Sequence, residues 1–276
     1  MGQAKLKQQS AFPSELIEEW ESEDCVNFSI ALARLTGWLI HVDWWSTSTK
    51  QYEPVSVNDM HPLRVYVGDN GHRIFDVRGN KSIFEFTDKI IRSLAFKIAK
   101  GPGGVRTKFY GEDALAKLPL KHPPVESKIQ KIMLDIQSNQ HFLSSIPIRK
   151  PPMIPAHKAA EFTFGRCSAY TEALKEVTGE TAVGLLAVRF SPHFELTERG
   201  DSGYFHSIIQ HANGMGEDSW GKASIDDIAA RFGVLEYRIS DQEHEFVVQN
   251  HLSNSKELYL EALEDARDLI KLYRRP

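Results

Sequence analysis

The chain has 276 residues, 41% of them hydrophobic and 10% aromatic, enough for proper cores in one large domain or two of ordinary size. Its formal net charge of −4 arises from nearly balanced signs, which argues against a global field drawing it to nucleic acid. No run approaches the roughly eighteen apolar residues of a membrane span, "MGQAKLKQQSAF" lacks an apolar signal core, Leu6 stands where a myristoylation motif needs Ser or Thr, and two cysteines make no disulfide framework. A soluble, cytoplasmic chain with both thiols reduced is the expectation, without membrane or nucleic-acid partners.

Taken from the start, "PSELIEEWE" predicts a helix whose acidic first turn suits its dipole. "CVNFSIALARLTG" then predicts a second: residues 28, 31, 32 and 35 follow helical spacing and Gly37 is placed to end it, with Cys25 at its start. Strand-like runs follow, "WLIHVDWW" and "HPLRVYV", before the hairpin chemistry of "GDNG" at 68–71. In "DVRGNKSI" Ser82, with Glu85 three residues on, reads as the N-cap of another helix. These elements make a first unit over 14–100. The stretch 101–160, with one helical segment near 125–138 and the Pro-rich "IPIRKPPMIP", reads as a linker; its basic residues Lys121, His122, Lys128, Lys131, Arg149, Lys150 and Lys158 are most simply a solvated face.

The second half repeats the first. Cys167 lies 142 residues after Cys25 in "CSAYTEALKEVTG", and the shared pattern is C-x-x-[FY]-x-x-A-L-x-x-[LV]-T-G. "DSWGKASI" repeats "DVRGNKSI" at the same spacing, with Ser224 and Asp227 as the capping pair. Between them lie "AVGLLAV", "YFHSIIQHA" and the turn "NGMG". The second unit is expected over 161–251, and a long amphipathic helix over 252–276.

Each half thus carries a cysteine at a helix start, a histidine on a strand and an aspartate on the next. His61 follows Cys25 by 36 residues and His206 follows Cys167 by 39, the difference being absorbed in the turn. Helix dipole and a neighbouring imidazolium favour a thiolate nucleophile, the histidine can shuttle its proton, and the aspartate can fix the tautomer. The cysteine's own N–H suits an oxyanion. His72 and His211 do not align between the halves and read as solvated turn residues; Trp38, Trp44 and Trp45 read as core or groove lining. No C-x-x-C or H-x-x-x-H pair points to zinc, and no cofactor is implied.

This constellation resembles the transglutaminase-like and papain-like cysteine superfamily, which includes bacterial toxin and effector deamidases and peptidases. The likeness covers Cys25 to about Ile90 and Cys167 to about Ala229. It implies an α+β fold of two tandem units, each a cysteine helix packed on a small antiparallel sheet, and two triads: Cys25, His61 and Asp76; Cys167, His206 and Asp218. It also implies a cysteine-dependent amidohydrolase (peptidase, glutamine deamidase or acyl transferase) acting on a protein or peptide amide through a thioester, in the cytoplasm or in a host cell reached without a classical signal peptide. The competing reading is a non-catalytic binding protein on the same duplicated scaffold. Two departures stand out: Pro62 removes a ladder donor beside His61, and Glu21, Glu23 and Asp24 crowd Cys25 where Arg166 precedes Cys167, so the second site is expected to be the more reactive.

Overall fold

The computed structural model describes residues 12–49, 54–69, 73–149, 153–191 and 203–274. The fold is α+β, and the chain divides into two units after Ile148. Among the described residues no helix is long and apolar enough to cross a membrane.

The first unit opens with α1 (Ser14–Ser22) and α2 (Val26–Thr36), then β1 (Leu39–Ser46), β2 (Met60–Gly68), β3 (Arg73–Asp76) and β4 (Gly79–Ser82). After β4 the chain runs through α3 (Ile83–Phe86), a π-helical turn (Thr87–Ile91) and α4 (Arg92–Ile98), and returns as β5 (Gly104–Tyr110). It closes with α5 (Glu112–Leu115), α6 (Glu126–Ser138) and α7 (Gln140–Ser144). Helix α2 is buried on nearly every side, as its mixture of Val, Phe, Ile, Ala and Leu demands. It ends where Gly37 turns left-handed and the Thr36 hydroxyl donates back to the Leu32 carbonyl. Leu32 is fully buried, and truncating such a side chain to Ala costs about 2–5 kcal/mol.

The linker expected at 101–160 is for the most part structure belonging to this unit. Strand β5 pairs with β1 from Ile40 opposite Tyr110 to Ser46 opposite Gly104. Its side chains alternate between half-buried and exposed, the period-2 signature of an edge strand. Helix α6 sends Ile129, Ile132 and Ile136 into the core beside α2, and the Asn27 carboxamide accepts the Val125 N–H at its start, 2.8 Å away.

The second unit comprises α8 (Ala156–Glu161), α9 (Cys167–Thr178), β6 (Thr181–Phe190), β7 (Tyr204–Gln210), β8 (Met215–Asp218), β9 (Gly221–Ser224), α10 (Ile225–Arg231), β10 (Val234–Ser240), α11 (Asp241–Asn254) and α12 (Lys256–Tyr273). The expected C-terminal helix is α12, and it lays Tyr259 and Ala262 against Ala169 of α9.

Both sheets have five antiparallel strands in the same order, β4-β3-β2-β1-β5 and β9-β8-β7-β6-β10. Across β1–β4 and β6–β9 the register agrees residue by residue at a spacing of 142, while β5 and β10 do not share it. Asp43 faces Arg64 as Leu185 faces His206; a bulge follows at Asp43/Trp44 and at Leu185/Leu186; Val67 faces Phe75 as Ile209 faces Glu217. Each aspartate ends a strand at a tight hairpin whose glycine, Gly79 or Gly221, has φ 102°, a conformation closed to most side chains. Its carboxylate accepts the N–H two residues on, Arg78 at 2.9 Å or Trp220 at 2.8 Å, so the turn itself fixes the side chain. Ser82 and Ser224 cap the next helix as their spacing predicts.

Strands β2 and β7 pair with their outer neighbours over only two residues, leaving the preceding backbone edge to meet the cysteine helix. Pro62 lies in this half-paired part of β2, where its missing N–H breaks no ladder on the outer side.

Candidate active site

In the second unit Cys167 is the first residue of α9, where helix N–H groups have no intrahelical acceptor. His206 comes from β7 and Asp218 from the end of β8. His206 Nε2 lies 3.0 Å from Asp218 Oδ2. The other ring nitrogen, Nδ1, is buried with no hydrogen-bond partner, and the imidazole lies close enough to the Cys167 thiol to lower it. Asp218 also accepts from the Trp220 N–H and pairs with Arg231 Nη2 at 3.0 Å. Phe232 packs against the imidazole at a tilt of 36°, ring centroids 4.6 Å apart.

The electrostatics follow from these contacts. Burial alone would raise the Asp218 carboxyl, yet Arg231, His206 and the Trp220 N–H hold it down to about 2. Burial would lower His206, but Asp218 and the thiol raise it to about 9. Burial would raise the Cys167 thiol, and it is lowered instead by His206, by the Tyr204 hydroxyl 3.3 Å away and by the Ser207 backbone N–H. Each shift favours a thiolate beside an imidazolium, with the carboxylate steadying the ring. It is enclosed: Cys167 is 6% exposed and His206 1%.

The first unit uses the same frame differently. His61 is exposed at the start of β2, opposite Trp45, and is brought to neither Cys25 nor Asp76. The strand position matching His206 is Arg64, whose Nη1 donates to Cys25 Sγ at 2.7 Å. Arg64 Nη2 reaches Glu21 at 3.3 Å, and Arg78 pairs with the same carboxylate at 2.6 Å. Cys25 is not the first helical residue but the cap, in a left-handed conformation at φ 59° beside Asp24 at φ 53°. Its N–H, expected to serve an oxyanion, donates to the Trp20 carbonyl at 2.9 Å. Full burial pushes its thiol up to about 12 despite Arg64. Asp76 is raised by burial, and its Oδ2, the atom matching the one that holds His206, is buried with no partner. The first constellation therefore joins a thiol, a guanidinium and carboxylates, with no imidazole.

The spacing alone points to Arg64: a register of 142 without a gap sets it opposite His206, whereas His61 requires a shift. Tyr204, Ser207 and Arg231 also touch the site and lie outside any motif. Arg166, whose charge was expected to favour the Cys167 thiolate, is paired with Asp265 and lies over the Phe162 ring. His211, expected to be solvated, is buried and bonded to Glu217 at 2.7 Å; His72 lies outside the described residues. Among the described residues no group of three His, Cys, Asp or Glu side chains is placed to hold a metal ion.

Comparison with protein-family models, curated proteins and solved structures finds no match to this chain.

Proposed function

We propose that the chain is a cysteine-dependent amidohydrolase of papain-like or transglutaminase-like organisation, acting on a protein or peptide amide through Cys167, His206 and Asp218. The observation that carries this reading is His206 held by Asp218 at 3.0 Å beside a thiol at a helix start. In the reaction the thiolate attacks the amide carbon, and the oxyanion draws on the N-terminal N–H groups of α9. His206 then passes its proton to the leaving amine as the C–N bond breaks, leaving a thioester. Water, deprotonated by His206, hydrolyses that thioester and returns the thiol; an amine in its place completes acyl transfer.

The matched strand order and register support descent of the two units from one ancestor, with the first kept as scaffold. An effector-like protein acting in the cytoplasm of its own or a host cell fits this reading. Enclosure of the thiol favours a second reading, a binding protein whose inherited triad is closed to substrate.

Site-resolved iodoacetamide labelling of the full chain separates them. Cys167 is expected to label at pH 6 about 100-fold faster than Cys25, and to lose that advantage in His206→Ala. Slow labelling at both cysteines, or a rate indifferent to His206, sinks the enzymatic reading.

A further inference from the structure

Cys167 touches a second chain of hydrogen bonds that the triad does not use. Tyr204 Oη lies 3.3 Å from Cys167 Sγ and 2.8 Å from Ser207 Oγ; Ser207 Oγ lies 2.8 Å from His244 Nδ1; His244 Nε2 lies 2.9 Å from Glu172 Oε1. Ser207 and His244 are buried, while the Glu172 side chain is 26% exposed. The chain thus runs from an enclosed sulfur to the surface.

Its polarity has two settings. An ionised Glu172 only accepts, so His244 Nε2–H donates to it. With His244 neutral, Nδ1 must accept: Ser207 donates to His244, Tyr204 to Ser207, and the thiol to Tyr204. With His244 protonated every bond reverses, and Tyr204 donates to the thiolate. Passing between the settings, the S–H bond breaks as a Tyr204 O–H bond forms. The former tyrosyl proton moves to Ser207 and the former seryl proton to His244 Nδ1. One proton has left sulfur for His244, and neither hydroxyl is ever ionised.

The geometry points to a proton relay in which Tyr204 and Ser207 connect the Cys167 thiol to a second histidine–carboxylate pair, His244 and Glu172, that acts as its remote base. This rests on the cysteine chemistry proposed above and deepens it. The relay gives the thiol proton a second exit beside His206, one that reaches the surface through Glu172. In the first unit Pro62, Val65 and Ile30 stand at the register positions of Tyr204, Ser207 and Glu172, and that unit has no relay. Charged and titratable groups also stand around this end of the chain: Lys175 pairs with Glu172 at 3.3 Å, the Tyr259 hydroxyl of α12 feels Glu172, Glu176 and Cys167, and Glu243 precedes His244 on α11.

The test is the pH profile of site-resolved Cys167 alkylation in the full chain between pH 5 and 9. Ser207→Ala and His244→Gln, which leave Tyr204 beside the sulfur, are each expected to slow labelling at pH 7 about tenfold, one pK unit at the thiol. Glu172→Gln keeps its bond to His244 but removes the counter-charge. It is expected to shift the profile the same way, and at its partly exposed position it reads the relay should the buried variants fail to fold. Profiles of all three superimposed on wild type overturn the relay while leaving a fast, His206-dependent Cys167 intact. A wild-type Cys167 that is itself unreactive overturns both proposals.

Discussion

Two cysteines sit at the same place in two sheets of the same topology, and only one has the surroundings of a nucleophile. What separates them is small in sequence and large in charge. On β7 an imidazole faces Cys167; on β2 a guanidinium faces Cys25. The Ser207 N–H turns to the sulfur in one unit, while the matching Val65 N–H goes to the Asp24 carbonyl, 3.0 Å away, in the other. Starting the helix one residue later around Cys25 consumes the N–H that an oxyanion would need. An arginine favours the thiolate but cannot exchange a proton with it at any working pH, and at Cys25 full burial outweighs its charge.

The strongest way to break the comparison is to copy one unit onto the other. His206→Arg is expected to lower Cys167 alkylation at pH 7 about 10³-fold, the range lost with a proton-transferring side chain. The reciprocal Arg64→His is expected to leave Cys25 slow, because its N–H still serves Trp20 and its sulfur stays fully enclosed. Fast labelling of Cys25 in that variant would mean that the strand residue alone decides.

Next in size is the structural role left to the first site. Arg64 is buried beside Cys25 and Glu21 with Asp76 in its field, and Arg64→Met leaves Glu21 to Arg78 alone and Asp76 to Lys81, 3.6 Å away. A loss of about 3 kcal/mol is expected from breaking a buried pair. Amide hydrogen exchange on β2 reads this unit separately from the other. Unchanged protection would show that the guanidinium is a passenger.

The two aspartates sharpen the contrast because their signs differ. Asp218 is held at about 2, below its unfolded value, so its contribution is present above about pH 4 and lost as the pH falls to 2. Its size is about 2 kcal/mol, and Asp218→Asn is expected to lose it at neutral pH and to flatten the acid limb of the stability profile. Asp76 is raised by burial, so the folded unit binds its proton more tightly and ionising it opposes folding as the pH rises. Asp76→Asn keeps the turn-closing oxygen and is expected to leave the first unit as protected as before or more so at pH 7. A loss there equal to that at Asp218 would mean that Lys81, 3.6 Å from Oδ1, makes up for the hydrogen bond that Oδ2 lacks.

Much of the frame is legible in the residues. The paired T-G helix ends, the serine caps and the 142-residue spacing are local chemistry that tertiary context leaves alone. The site is less so. A search for imidazole selects His61, although the ungapped register selects Arg64, because residue type is more conspicuous than position. The left-handed Asp24-Cys25 step leaves no mark in composition. β5 hides behind "GPGG" and its own polar alternation, while the Ile129, Ile132, Ile136 stripe of α6 belongs to a packed helix and not to a linker, since an apolar face must be buried somewhere. The hydroxyl relay joins α9, β7 and α11, elements up to 72 residues apart, and only the fold brings them together.

The smallest expected effect is also the control for all the others. Ser82 Oγ accepts the Glu85 N–H at 3.1 Å and Ser224 Oγ accepts the Asp227 N–H at 3.0 Å, both exposed, at matching positions after matching hairpins. Each Ser→Ala is expected to cost about 1 kcal/mol, read as lost protection in the helix that follows, with the two costs within a few tenths of each other. The caps belong to the shared frame and not to the chemistry that distinguishes the units, so neither change is expected to move the Cys167 labelling profile. A cap variant that did alter it would mean that frame and chemistry are coupled, and the large effects at His206 and Asp218 would then no longer be readable as local.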